Sequence, residues 1–296
     1  MKVLVYGGTG SQASHTVWKL LERGHTPYVL TRNPEKASEM EKAGAKIVIG
    51  NTNDIELLRK ASQGMDAVAL LTPFFTDVPP ATTAKNAIDA AVYAGVPHLV
   101  WNTSGRPGDG NTGNPLLDHQ QATTKHLEES GLTYIILQPT VYLENLFGPY
   151  TAPFVANADK LTYPHPEDME VHWIASEDMG AFVVSALERP ELSGSKFEVA
   201  GTHRLNGNAL AAEFSKGLDR TINYETMPVN EFAAIINNAF GPGAGDALAK
   251  DYQKLFDKPE TKKKYILDMA PVLDKLPVKT TPVSEWVAKH KVVFFK

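Results

Sequence analysis

Gly7, Gly10 and Ala13 recur every third residue in Val5-Tyr6-Gly7-Gly8-Thr9-Gly10-Ser11-Gln12-Ala13, a stretch with little side-chain bulk. Backbone of this kind turns tightly and brings its N–H groups close to an anion. A helix starting directly after it adds the partial positive charge of its N-terminus. The chemistry such a stretch serves is the holding of a pyrophosphate. The spacing differs by one residue from the Gly-x-Gly-x-x-Gly of common dehydrogenases, and no Gly-Lys-Ser/Thr follows to make a P-loop.

A second chemical signal ends the next apolar run, where Pro27 to Thr31 is followed by Arg32-Asn33-Pro34. A site for NAD usually carries Asp or Glu at this point, to hold the ribose hydroxyls. A guanidinium suits a 2′-phosphate instead, through a charge-assisted and often forked contact. The residues therefore read as a site for NADP(H), with Arg32 on the 2′-phosphate and Lys36 adding charge one turn later. The third signal is an absence. Ordinary short-chain dehydrogenases use a Tyr-x-x-x-Lys pair for proton exchange with the substrate oxygen, and no such pair exists in this chain.

These residues need elements to position them. Val3 to Val5 reads as a buried strand and Ser14 to Arg23 as a helix, so the glycine stretch falls at a strand-to-helix turn. Strands over 46–49, 67–71, 99–102 and 134–137 alternate with helices over 55–62, 81–94 and about 119–130. That alternation is the pattern of an α/β fold, a doubly wound Rossmann parallel sheet with helices on both faces. The loops at the strand ends, among them Gly50 to Asn53, Thr72-Pro73-Phe74, Thr103-Ser104-Gly105 and Gln138-Pro139-Thr140, should line the cofactor crevice. Prolines 149, 153, 164 and 166 then break the pattern. This gives an expected Rossmann domain over 1–148 and a smaller, mostly C-terminal α/β substrate-side domain over 149–296, with parts near 170–200 returning to the core. In the second domain a helix is expected over 205–217, a strand over 221–224, a flexible break at Gly241 to Gly245 and a C-terminal helix around 283–289.

Composition excludes more than it identifies. The chain has 296 residues, 43% of them hydrophobic, a net charge of -5 and no cysteine. No basic stripe marks a nucleic-acid binder, and thiol chemistry, disulfides and zinc-thiolate sites are ruled out. With no run of about 20 apolar residues and no leader pattern, no membrane contact and a cytoplasmic location are expected. His165 and His172 lie among prolines without a His-Glu-x-x-His helix, so no metal site is expected. A shared edge strand or helix is compatible with a homodimer.

Taken together, Gly7 to Ala13, Thr31-Arg32-Asn33-Pro34, Gly50 to Asp54, Leu137-Gln138-Pro139-Thr140-Val141-Tyr142-Leu143-Glu144-Asn145 and Ala175 to Gly180 resemble the NmrA-like family of atypical short-chain dehydrogenases. That family includes NADPH-dependent quinone and triphenylmethane-dye reductases as well as redox-sensing regulators. The resemblance implies that Gly7, Thr9, Gly10, Ser11 and Gln12 cradle the pyrophosphate and that Asn51 approaches the adenine. It also implies that Thr72 and Pro73 line the cofactor mid-length, and that Pro139, Thr140, Val141 and Tyr142 border the nicotinamide, with Tyr142 and Asn145 near the substrate; Thr103, on a strand-end loop, is expected at the cofactor too. Phe74, Phe75 and Phe147 are candidates for walling an aromatic substrate. His119 and Tyr142 are the polar candidates for orienting its oxygen. Several relatives keep a lysine where this chain has Gln120, and Lys125 lies five residues on, about 140° round the helix.

Two readings follow. One is an NADPH-dependent reductase of a quinone or similar planar acceptor, which takes hydride readily and gains its proton from water or a weak donor. The other is a non-catalytic NADP(H)-sensing regulator.

Overall fold

Val3 to Val5, Ala67 to Leu71, Leu99 to Trp101 and Ile135 to Leu137 are all buried, inward and outward positions alike. A strand covered by helices on both faces requires this. The computed structural model of the protein describes residues 1–72, 78–106 and 115–295. In chain order the first half forms β1 (Lys2–Val5), α1 (Ala13–Glu22), β2 (Thr26–Thr31), α2 (Ser38–Lys42), β3 (Lys46–Ile49) and α3 (Ile55–Ser62). Next come β4 (Ala67–Leu71), α4 (Pro80–Tyr93), β5 (His98–Asn102), α5 (Pro115–Glu129), β6 (Thr133–Pro139) and β7 (Val141–Tyr142). The chain continues through α6 (Ala152–Ala158), β8 (Lys160–Tyr163), β9 (Val171–Ile174), α7 (Ser176–Leu187), β10 (Ser195–Val199), β11 (Arg204–Leu205) and α8 (Gly207–Leu218). It ends with β12 (Asn223–Thr226), α9 (Val229–Phe240), α10 (Ala244–Asp257), α11 (Ala270–Lys275), α12 (Val283–Lys289) and α13 (Lys291–Phe294).

Two compact units divide these elements: residues 1–139, 176–199 and 270–278 make the first, and 140–175, 200–269 and 279–296 the second. The first holds a seven-stranded parallel sheet in the order β10-β6-β5-β4-β1-β2-β3. This is the doubly wound Rossmann arrangement. Strand order reverses between β1 and β4, and that reversal opens the crevice where such sheets bind ligands. Lys196 to Val199 lie in β10, which pairs with β6 in the main sheet. Helices α1 and α7 approach so closely that a Cβ on Gly180 would lie 2.7 Å from the carbonyl carbon of His15.

The second unit packs Trp173, Phe214, Trp286 and Phe294 into its own core, beneath the short sheets β11-β9-β7 and β12-β8. Here the structure departs from the sequence pattern. The strand expected over 221–224 runs instead over Asn223–Thr226, because Ser215 Oγ accepts from Ile222 N–H at 2.9 Å and so holds that residue out of the ladder. The helix expected from Leu205 starts at Gly207, where the Asn206 side chain caps it by accepting from Ala209 N–H at 2.9 Å. The supposed break at Gly241 to Gly245 already contains the start of α10, and a Cβ on Gly245 would meet the Ala233 carbonyl oxygen at 2.2 Å. That glycine serves close helix packing, not flexibility. Among the described residues no helix is long and apolar enough to cross a membrane.

His165 sits in the second unit with its ring 4.7 Å from Tyr163, 5.6 Å from Tyr252, 5.8 Å from Trp173 and 5.9 Å from Tyr265, centroid to centroid. Burial among these rings pushes its pKa down to about 3. The unfolded chain therefore binds this proton more readily than the folded one, so the stability is intact above the ordinary histidine pKa and is lost as pH falls below it. Between about pH 6.5 and pH 3 this site should cost roughly 1.4 kcal/mol per pH unit. Urea unfolding at pH 7 and pH 5 should show the loss, and a His165→Phe variant should show a flatter dependence.

Candidate functional site

The site is built on the turn that follows β1. Gly10 N–H donates to the Gly7 carbonyl at 2.8 Å and Ser14 N–H to the Gly10 carbonyl at 3.1 Å, so the chain reverses within four residues and enters α1. Gly7 has φ 71°, a left-handed conformation that an L side chain resists. Gly8 is where the elements close on one another: a Cβ there would lie 2.9 Å from Val29 Cγ1, 3.1 Å from Val17 Cγ2 and 3.3 Å from Val5 Cγ1. The three-residue spacing pattern passes over Gly8, although two consecutive glycines before a helix were its available signal. Among the described residues the N–H groups of Ser11, Gln12 and Ala13 find no backbone carbonyl, and Gln12 makes no side-chain cap. The result is a row of unsatisfied donors at a helix N-terminus, which suits an anion.

The end of β2 is held next to this turn. Thr31 Oγ1 lies 3.3 Å from Thr9 Oγ1 and accepts from Asn33 N–H at 3.1 Å, while Asn33 Oδ1 accepts from Glu35 N–H at 3.0 Å. Arg32 lies between these anchors with its side chain exposed, and Lys36 is exposed on the short turn that follows. At the end of β3, Gly50 N–H donates to the Thr31 carbonyl at 3.0 Å, and Asn51 begins a loop tied to α4 by Asn86 Nδ2 donating to the Thr52 carbonyl at 2.9 Å. At the end of β4, Thr72 is fully buried and its hydroxyl has no hydrogen-bond partner among the described residues. Pro73, Phe74 and Phe75 lie outside the described residues.

The loop after β5 is the most heavily tied. Thr103 Oγ1 donates to the Gly105 carbonyl at 2.5 Å, Asn102 Oδ1 accepts from Ser104 N–H at 2.9 Å, and Ser104 Oγ donates to Gln12 Oε1 at 2.8 Å. On α5, His119 and Gln120 are both buried, at 6% and 1% exposure. Gln120 Nε2 donates to the Thr103 carbonyl at 2.8 Å and so secures the loop. Pro139 is the last residue of β6, paired with Val199 of β10.

The remaining sequence candidates belong to the second unit. Thr140 Oγ1 donates to the His172 carbonyl at 2.5 Å, and Val141 and the buried Tyr142 pair in β7 with Trp173 and Ile174. Asn145 Nδ2 is 3.5 Å from the Tyr163 hydroxyl. Phe147 stacks on Trp286 at 4.9 Å between ring centroids. His172 Nδ1 accepts from Leu267 N–H at 3.2 Å, and no group of three potential metal ligands occurs among the described residues.

A glycine cradle that a Cβ would fill, open N–H donors at the start of α1 and a buried hydroxyl without a partner after β4 together fit a dinucleotide laid across the switch point of the sheet. The model of the NmrA-like family matches residues 1–287. The chain belongs to this family. It is 28% identical over 297 residues to an NAD(P)H azoreductase of Xenophilus azovorans, covering 99% of both chains. Its fold matches the NADPH-dependent quinone oxidoreductase of Escherichia coli solved with NADPH, with a TM-score of 0.78 and 24% identity over 98% of this chain and 99% of that one. It also matches a doubly substituted NmrA, with a TM-score of 0.74 and 17% identity over 97% and 94%.

Because Gly7 is left-handed and a Cβ there would sit 3.3 Å from Leu71 Cδ2, Gly7→Ala should destabilise the protein by roughly 1–2 kcal/mol. Urea denaturation compared with wild type is the check.

Proposed function

We propose that this protein is an NADPH-dependent reductase that passes hydride to a quinone, an azo compound or a similar planar aromatic acceptor. The observation that carries the reading is the turn from Gly7 to Ala13, with open donors at the start of α1 and an exposed arginine, in place of an acid, at the end of β2. Gly7, Thr9, Gly10, Ser11 and Gln12 hold the pyrophosphate, Arg32 and Lys36 neutralise the 2′-phosphate, and Asn51 meets the adenine. Thr72, Thr103 and Pro139 line the rest of the cofactor. The bound nicotinamide supplies the hydride. The names of the azoreductase and quinone oxidoreductase relatives support an aromatic acceptor. The roles that the family resemblance implies for Thr140, Val141, Tyr142 and Asn145 belong to this proposal, as does Phe147 as a candidate wall for the acceptor.

The chain contributes little acid–base chemistry to this reaction. It has no Tyr-x-x-x-Lys pair, and Gln120 is engaged with backbone carbonyls. That suits an acceptor whose reduced form gains protons from water, and binding and orientation then carry most of the rate. The same absence, with the likeness to NmrA, favours a second reading as a sensor that binds NADP(H) without turnover.

Loss of absorbance at the nicotinamide band, followed with a panel of quinones and azo dyes, separates the two. Turnover with at least one acceptor is expected, whereas tight NADPH binding without reduction across the panel would favour the sensor. Arg32→Glu should weaken NADPH binding about ten- to a hundredfold and NADH binding far less, as expected for loss of one charge-assisted contact and gain of repulsion. Equal effects on both nucleotides would remove Arg32 from the 2′-phosphate.

A further inference from the structure

Ser104 has φ 63°, in the left-handed region that residues other than glycine rarely occupy. Glycine would adopt this geometry without strain, and a glycine stands immediately after it at position 105. A serine held here against its preference points to a use for the hydroxyl. The surroundings hold it from three sides. Asn102 Oδ1 accepts its N–H, Thr103 Oγ1 donates to the Gly105 carbonyl at 2.5 Å, and buried Gln120 donates to the Thr103 carbonyl at 2.8 Å. The single side-chain hydrogen bond found for Ser104 among the described residues goes to Gln12 Oε1, at 2.8 Å.

Gln12 directly precedes α1, among the open N–H groups of Ser11 and Ala13. A glutamine amide has one accepting end and one donating end. With Oε1 taken by Ser104, the free end is Nε2, which carries two N–H donors and has no partner among the described residues. We propose that Ser104 is a positioning residue for the cofactor: its strained backbone delivers a hydroxyl that fixes the Gln12 amide, so that Nε2 donates to the pyrophosphate. Gln120 supports this from α5 by holding the Thr103 carbonyl. The inference rests on the NADPH reading above and adds to it a route from α5 through the β5 loop to the phosphate turn.

The test compares binding of two ligands with folding stability. NADPH carries the pyrophosphate, and adenosine 2′-monophosphate carries the 2′-phosphate without it. In Ser104→Gly, NADPH affinity should fall about tenfold, the share of one hydrogen bond to a charged group, while adenosine 2′-monophosphate affinity stays within about twofold. The melting temperature should hold or rise, because the backbone strain is relieved. Gln12→Ala should cause the same selective loss, and the double variant should lose no more than either single one. Ser104→Gly that binds NADPH like wild type would overturn the proposal, as would equal loss of both ligands. If the wild-type protein binds no NADPH, the functional reading and this inference fall together. If wild type binds and the variants are unaffected, only this inference falls.

Discussion

Close contact between the backbone at Gly8 and the valines of β1, β2 and α1 is the constraint from which the rest of the site follows. With no side chain in the way, the helix starts against the end of the central strand, and its first N–H groups are left without carbonyl partners. Parallel pairing then brings the ends of β2, β4 and β5 to the same edge of the sheet, since every neighbour runs in the same direction from a fixed register. Thr31, Thr72 and the Thr103 to Gly105 loop therefore gather around the turn without any of them having to specify that arrangement.

Around this turn the site consists of donors, cations and a neutral hydroxyl network. Arg32 and Lys36 are exposed, and the contacts of Thr9, Thr31, Thr103, Ser104, Gln12 and Gln120 join uncharged groups. Such a surface suits a polyanion and gives it orientation, and among the described residues around the turn no acid and base are coupled in the way that drives carbonyl reduction. The burial of Gln120 makes this concrete: an amide cannot lower a neighbouring pKa by charge, yet it can pin two backbone carbonyls. The chemistry proposed for the protein is therefore the kind that asks least of side chains once donor and acceptor are held face to face.

Much of the first unit was legible in the sequence because its signals are local. Continuous apolar runs marked the buried strands, and the glycines marked the turn. What stayed hidden depended on distant partners. Nothing in Thr103-Ser104-Gly105 announces a left-handed serine bonded to a residue 92 positions earlier, and nothing local shows that Gln120 reaches back to that loop. In the second unit the short strands pair in small separate sheets. There a side-chain contact such as Ser215 with Ile222 moves a strand boundary, and a packing contact such as Gly245 with Ala233 turns an apparent break into a helix. Phe147 shows the same limit: its aromatic character was visible, but its stacking on Trp286 was not.

If the turn after β1 and the loop after β5 together hold the pyrophosphate of NADPH, backbone hydrogen exchange with and without the nucleotide will register it. NADPH should slow exchange in peptides spanning 7–14 and 102–106, where the open N–H groups of Ser11, Gln12 and Ala13 and the Ser104 loop lie. Saturating NADPH that leaves both peptides exchanging at their free rates, or protects only regions away from them, would contradict it.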